Sequence, residues 1–264
     1  MTSHNNGDKP PWTEATIIDI KTFGSVRLLR LKVPLRSLTF EPGQWVDFNI
    51  PGVTPFTGYS MLSPPSLLES SGELDLAVKY SDYPPTLWVH EKCCVGDKVQ
   101  IRVGGDFYYS APPPASSPPS STTFCERGQG DVLLLAAGIG ISPIYSILQH
   151  YLQRDHHEDR ILLLYSGKSA TDLVFKDEIM ELEKHNSCFT ATLFSSQDPV
   201  KQSEMNHIRE GRITETDVKE AVSSLNKALV QAFICGPPGF LDHMEMFCLA
   251  SGLHKDQIHY EKWW

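Results

Sequence analysis

The apolar positions of this chain change rhythm near its midpoint. Over residues 14–110 they recur at every second place. Val46, Phe48 and Ile50 alternate with Asp47 and Asn49, and Leu74, Leu76 and Val78 with Asp75, Ala77 and Lys79. Val99, Ile101 and Val103 alternate with Gln100 and Arg102 in the same way. Side chains of a strand point to opposite faces in turn, so this alternation predicts strands buried on one face only. Several such strands, separated by Pro and Gly turns, predict an antiparallel barrel or sandwich. Pro84-Pro85 followed by Thr86 starts a short helix over residues 86–92.

Beyond residue 131 unbroken apolar runs alternate with helical spacing. The runs at 132–136, 161–165, 189–194, 231–235 and 258–260 predict strands buried on both faces, as in a parallel sheet. Helical periodicity falls between them, at 143–154, 172–185, 214–225 and 240–251. Strands spaced by helices imply an α/β doubly wound sheet. The expected organisation is a barrel over residues 12–110, a Pro/Ser-rich linker or disordered loop over 111–130, and a nucleotide-binding α/β domain over 131–264.

Composition narrows the function classes. A formal net charge of −9 argues against nucleic acid, because neutralising phosphates requires a basic surface. No apolar stretch approaches the roughly 20 residues of a membrane span. The opening residues carry neither a hydrophobic signal core nor an Arg-rich amphipathic leader, so the expected compartment is cytoplasmic or mitochondrial with no signal to choose between them. Six cysteines stand without a C-x-x-C pair, which predicts that most are reduced, small core residues and that there is no metal site. His156-His157 lies in a charged stretch and reads as a solvated loop.

The most informative segment follows the first apolar run of the second half. There Gly138-Ile139-Gly140-Ile141-Ser142-Pro143 leads into a helix, with Ser142 expected as its cap and Pro143 at its first position. A strand, a glycine turn and a helix start gather backbone N–H groups at the positive end of a helix, which suits an anion such as a nucleotide pyrophosphate. The segment is not the full G-x-G-x-x-G fingerprint, and glycine turns also join strands to helices with no ligand at all. A second glycine turn, Gly236-Pro237, follows the run at 231–235 and falls at the same edge of the expected sheet.

Motifs in order along the chain resemble the ferredoxin–NADP reductase superfamily. They are Pro42-Gly43-Gln44-Trp45-Val46, Tyr59-Ser60, Val78-Lys79-Tyr80, Val95-Gly96-Asp97-Lys98-Val99, Ala137-Gly138-Ile139-Gly140-Ile141-Ser142-Pro143, Tyr165-Ser166-Gly167-Lys168, Gly211-Arg212-Ile213-Thr214 and Cys235-Gly236-Pro237-Pro238. The ending Tyr260-Glu261-Lys262-Trp263-Trp264 narrows the resemblance to one small group within it.

The resemblance implies an NAD(P)H-dependent flavin oxidoreductase. Hydride would pass from nicotinamide C4 to flavin N5, with the rings about 3–3.5 Å apart, and electrons would go on to a separate, unidentified acceptor, another protein among the candidates. The cofactors carry the redox chemistry and the protein supplies position and electrostatics. The implied catalytic residues are Ser60, near flavin N5, and Cys235, beside the nicotinamide. Tyr59 would pack on the flavin, Lys79 and Tyr80 would line its ribityl or adenine side, and Thr86 would cap the barrel helix toward a phosphate. Gly138, Ile139, Gly140, Ile141, Ser142 and Pro143 would cradle the nucleotide pyrophosphate, Gly236 and Pro237 would let backbone approach it, and Trp264, with Trp263, would cover the flavin. Each has a plainer reading: Tyr59 as barrel filling, Lys79 and Tyr80 as outward strand residues, Cys235 as a small core residue, the tryptophans as a partner contact.

The chain also departs from the family pattern. Thr57 stands two residues before Tyr59, where the family has an arginine on flavin phosphate, a bidentate contact that threonine cannot copy. Pro84-Pro85-Thr86 replaces a glycine and serine at the start of the barrel helix. NAD(P), with NAD preferred, and FAD are therefore the implied cofactors, Thr57 bearing against the second. A flavin-free NAD(P)-binding sensor or scaffold is the alternative, and a subunit that completes its flavin site with a partner is the third.

Overall fold

The computed structural model describes residues 10–110, 130–153, 159–200 and 207–261. The chain divides into two compact units, Met1–Asp106 and Phe107–Trp264. The expected linker at 111–130 falls almost wholly outside the described residues, as do His156-His157 and Trp263-Trp264.

The first unit is built on β1 (Thr13–Phe23), β2 (Val26–Lys32), β3 (Trp45–Asn49), β4 (Thr57–Ser60), α1 (Pro65–Ser71), β5 (Glu73–Lys79), α2 (Pro84–Glu91) and β6 (Lys98–Gly104). Its strands form one antiparallel sheet in the order β4-β3-β6-β1-β2-β5. A bridge between Met61 and Leu76, with the Leu62 amide donating to the Asp75 carbonyl at 2.8 Å, joins the two edges and makes the sheet a barrel. Closure removes exposed edges. The alternation explains the interior, where Ile17, Leu29, Leu31, Val46, Phe48, Leu74, Leu76, Val99 and Ile101 are buried together.

One charged pair is buried on this barrel. Asp47 of β3 and Arg102 of β6 are register partners and bond through Nε to Oδ2 at 3.0 Å and through Nη2 to the same oxygen. Trp12 covers the guanidinium, with its ring centroid 4.4 Å from Cζ, and packs edge-on against Phe56.

Two helices differ from the sequence reading. α1 is not signalled by its Ser-rich stretch; Pro65 at its first position and Gly72 in the left-handed region (φ 69°) after its last bound it. α2 begins at Pro84 rather than Thr86, because prolines fit the first turn, where amides have no intrahelical acceptor.

The second unit contains β7 (Val132–Ala137), α3 (Ile141–Leu152), β8 (Ile161–Gly167), α4 (Lys176–His185), β9 (Phe189–Ser195), β10 (Ile208–Glu210), α5 (Glu215–Ser223), β11 (Gln231–Cys235), α6 (Pro238–Ala250) and β12 (Ile258–Glu261). All strand pairs are parallel, in the order β10-β9-β8-β7-β11-β12. β7 lies at the centre, with its residues 132–136 fully or almost fully enclosed, as its continuous apolar run predicts. Successive strands run outward from β7 through β8 and β9 to β10, then the chain returns to β11 on the other side of β7. Between β7 and β11 the order reverses, and in open α/β sheets ligands bind in the crevice at such a reversal.

β10 is too short and polar to be signalled by periodicity. α4 starts at Lys176 rather than 172. Residues Ala170–Asp172 form a 3₁₀ turn tied by Ser169 Oγ to the Asp172 carboxylate at 2.7 Å, and Phe175 adopts φ 65° before the helix proper begins. α5 follows its sequence signal closely: Thr214 is the N-cap and forms a capping box with Asp217.

Candidate functional site

The reversal point of the parallel sheet is built by two glycine turns in direct contact. After β7 the chain tightens into a 3₁₀ turn over Gly138–Gly140 and enters α3 at Ile141. Gly140 is the N-cap. Ser142 is therefore the second helical residue and Pro143 the third, which corrects the expected cap at Ser142 and the expected first position for Pro143. The 3₁₀ turn winds the chain before the helix begins, and proline is tolerated here because third-position amides also lack an intrahelical acceptor.

Each glycine has its own reason. Gly138 sits at φ 55°, and no atom lies within 4 Å of where a side chain would begin. A Cβ on Gly140 would lie 2.4 Å from the Cys235 carbonyl oxygen and 2.8 Å from the Gly236 nitrogen. The β7–α3 turn thus presses on the peptide that ends β11, and only glycine permits that approach. A Cβ on Gly236 would in turn meet the Phe240 ring at 2.7 Å and Ala137 Cβ at 3.0 Å. The structure brings Gly138, Ile139, Gly140, Ile141, Gly236 and Pro237 together on this edge.

The donors there are few and defined. The Ile141 amide is taken up by the carbonyls of Gly138 and Ile139, and Pro143 has no amide. Ser142 Oγ is buried and has no hydrogen-bond partner. A buried hydroxyl without a partner is costly, and an oxygen-rich ligand at a helix start would satisfy it. This cradle, open above Gly138 and carrying an unbonded hydroxyl, fits a nucleotide pyrophosphate.

Tyr165 supports the turn from below, a role that sequence reading missed. It is fully buried, and its hydroxyl donates to the Gly138 carbonyl at 3.3 Å and lies 3.4 Å from the Asp172 carbonyl. Burial keeps the phenol protonated well above its ordinary pKa. Its sequence signal is a single tyrosine directly after the apolar run of Ile161 and three leucines that opens β8.

Cys235 ends β11 in register with Ala136 of β7 and Glu261 of β12. It is buried, and desolvation, helped by the Glu261 charge, pushes its thiol well above the ordinary range. It is a neutral thiol, not a thiolate.

In the barrel unit Tyr59 and Ser60 lie on β4, paired with Val46 and Trp45. Tyr59 is half-buried and packs edge-on against Phe48 at 5.3 Å between centroids. Its hydroxyl lies 3.2 Å from Thr86 Oγ1, and burial raises its pKa to about 12. Thr86 is the third residue of α2, not its cap; Tyr83 occupies that place and makes no side-chain cap bond. Pro84 and Pro85 contribute no amides, so Thr86 has the only amide in the first three positions of that helix. Lys79 and Tyr80, at the end of β5, are exposed, and Tyr80 meets the His90 ring edge-on at 5.3 Å. The half-buried Tyr59 ring is the aromatic group that could lie against a flat ligand, and the α2 end, opened by two prolines, does not fit a bound phosphate. Among the described residues no cluster of His, Cys, Asp and Glu could hold a metal ion, and no helix is long and apolar enough to cross a membrane.

Comparison with known proteins agrees with this geometry. Residues 134–246 match the family described as Oxidoreductase NAD-binding domain. Oxidoreductase NAD-binding domain-containing protein 1 of Danio rerio is 38% identical over 251 residues, covering 91% of this chain and 87% of its own. The crystal structure of an Amycolatopsis cytochrome P450 reductase superposes with a TM-score of 0.76 at 22% identity, covering 98% of this chain and 73% of that one. A ferredoxin NADP+ reductase from Neisseria gonorrhoeae with bound FAD and NADP superposes with a TM-score of 0.70 at 19% identity, covering 95% and 98%. These two structures share the fold, a barrel followed by a parallel α/β unit. The chain belongs to the family of oxidoreductase NAD-binding domain-containing protein 1, and its second unit carries that family's NAD-binding domain.

Proposed function

We propose that the chain is an NAD(P)H-dependent flavin oxidoreductase. The observation that carries this reading is the contact of the two glycine turns at the reversal of the parallel sheet, where Gly140 rests on the Cys235–Gly236 peptide. That edge would hold the pyrophosphate over residues 138–143, with Ser142 Oγ as a donor. Gly236 and Pro237 would let the nicotinamide end lie against backbone, beside the neutral thiol of Cys235. NAD is preferred over NADP.

The barrel unit would serve the flavin, with the Tyr59 ring against it and Ser60 near N5. Lys79 and Tyr80 would line its tail, and Trp264 would cover its ring on the strength of the resemblance alone. Bound NAD(P)H supplies a hydride and flavin accepts it; the chain's own residues hold, orient and shield the rings. Electrons would leave to a separate acceptor. The related reductase from Neisseria, whose structure holds FAD and NADP, supports the pairing of the two cofactors.

A second reading, a flavin-free NAD(P)-binding module, is favoured by Thr57 and by the prolines that open α2. One experiment separates the two. Purified protein is mixed anaerobically with flavin and NADH or NADPH, and the flavin's visible absorption band is followed. Bleaching at a rate that depends on the protein supports the oxidoreductase. Nucleotide binding, read by a thermal shift, without bleaching supports the module.

A further inference from the structure

We propose that the flavin of this oxidoreductase is a dissociable substrate recognised through its ring, and that reduced flavin itself carries the electrons away. The inference rests on the reading above and names the acceptor that the reading leaves open.

A resident flavin nucleotide is held chiefly by its phosphates, which call for a cation fork or a helix start rich in free amides. Among the described residues, the rim around Tyr59 offers neither. α2 is the helix that meets Tyr59, through Thr86 Oγ1, and its first two positions are prolines. Two of the donors that a helix start normally presents are therefore missing, and the Thr86 hydroxyl is already paired with the Tyr59 phenol.

The arginines of the barrel are occupied or placed elsewhere. Arg30 makes a two-pronged bond to Asp75 at 2.7 and 2.9 Å, and Arg102 is held on Asp47. Arg27 donates to the Val89 carbonyl at 2.6 Å, at the opposite end of α2. Arg36 lies in the exposed turn after β2, and Thr57, beside Tyr59 on β4, is uncharged. Lys79, before the turn into α2, is a single exposed ammonium on a flexible stem, which solvent and salt screen.

What the described residues offer at Tyr59 is an aromatic ring and a hydroxyl pair, a set that recognises a flat heterocycle and gives a phosphorylated tail no charged fork. The reaction balances without another oxidant. The C4–H bond of NAD(P)H breaks with both electrons, an N5–H bond forms on the flavin, and a solvent proton completes the dihydroflavin. NAD(P)+ and dihydroflavin then both leave.

The test uses the intact chain with riboflavin, FMN and FAD as separate substrates under NADH. The expected result is that protein loaded with FAD emerges colourless from desalting and that kcat/KM for the three flavins agrees within about tenfold, whereas one charge-assisted phosphate anchor would separate them by about 10- to 100-fold. Retention of stoichiometric FAD through desalting, or a preference for FAD or FMN over riboflavin of more than about tenfold, overturns the inference and leaves the oxidoreductase standing. Failure to reduce any of the three while NADH still binds overturns the oxidoreductase itself. Thr57→Arg adds the missing fork, and is expected to raise the FMN-to-riboflavin ratio of kcat/KM about tenfold or more; an unchanged ratio in a folded variant counts against the phosphate-blind rim.

Discussion

Gly140 and Gly138 are glycines for different reasons, and their alanine variants should fail differently. Alanine at 140 drives a methyl group into the Cys235 carbonyl, an overpacking that costs about 1–3 kcal/mol and pulls the two turns apart. Alanine at 138 meets open space and costs only its left-handed backbone, about 1–2 kcal/mol. Thermal melts with and without NADH check this. Gly140→Ala should lose stability and the nucleotide-induced shift together; an unchanged shift in that variant contradicts the role given to the turn contact. Cysteine chemistry is equally residue-specific. Cys94 is exposed, while Cys235 and Cys248 are buried, and desolvation raises Cys248 to about 12. Alkylation at pH 8 followed by peptide mapping should label Cys94 in the native protein and Cys235 and Cys248 only after unfolding. Fast native labelling of Cys235 would rule out the enclosed thiol described here.

At the scale of elements, strands declare themselves because alternation and apolar runs follow directly from which faces are buried. The starts of elements do not. Ser142-Pro143 carries every local sign of a cap and first turn, yet the helix begins earlier because the preceding glycines wind into it. Thr86 was equally misleading, since the prolines before it are helical. α1 and β10 leave no periodic trace, being short and half polar. Among the site residues, the glycine pair was legible from its spacing; the support from Tyr165 and the lack of partner for Ser142 Oγ depend on neighbours distant in sequence. The link between β3 and β6 offers a sharp test. Removing Asp47 strands Arg102, whose side chain is 12% exposed, and should cost about 3–5 kcal/mol by denaturant melts. Removing Asp75 from its half-exposed bond to Arg30 should cost no more than about 1 kcal/mol. Equal costs would contradict the burial assigned to the first pair.

The junction of β11 and β12 should also respond to pH. His259 stacks on Phe233 at 4.8 Å and bonds Gln231 Oε1 at 2.7 Å, and desolvation lowers its pKa below the ordinary 6.5. In the unfolded chain it titrates near the ordinary value. Below about pH 6.5 the unfolded chain therefore binds a proton that the fold resists, and stability falls as pH drops toward the folded pKa. His259→Gln should flatten that part of the melting-temperature profile between about pH 7 and 5. A variant with the same acid slope as the native chain would place the titration elsewhere.

For the molecule as a whole, two units with different sheets were expected from the change of rhythm alone, and the barrel and the doubly wound sheet are both present. Closure of the barrel through Met61 and Leu76 was not legible, because a single bridge between distant residues has no periodic signature. The acidic balance of −9 also bears on the whole surface: any approach of an anionic nucleotide or flavin is opposed at long range, so association should quicken with added salt up to the Debye regime of about 10 Å at 0.1 M.

The most direct test of the central claim is anaerobic stopped-flow mixing of the protein with NADH and flavin. The expected result is saturable, protein-dependent bleaching of the flavin band that Gly140→Ala abolishes. Flavin that stays oxidised while NADH demonstrably binds would contradict it.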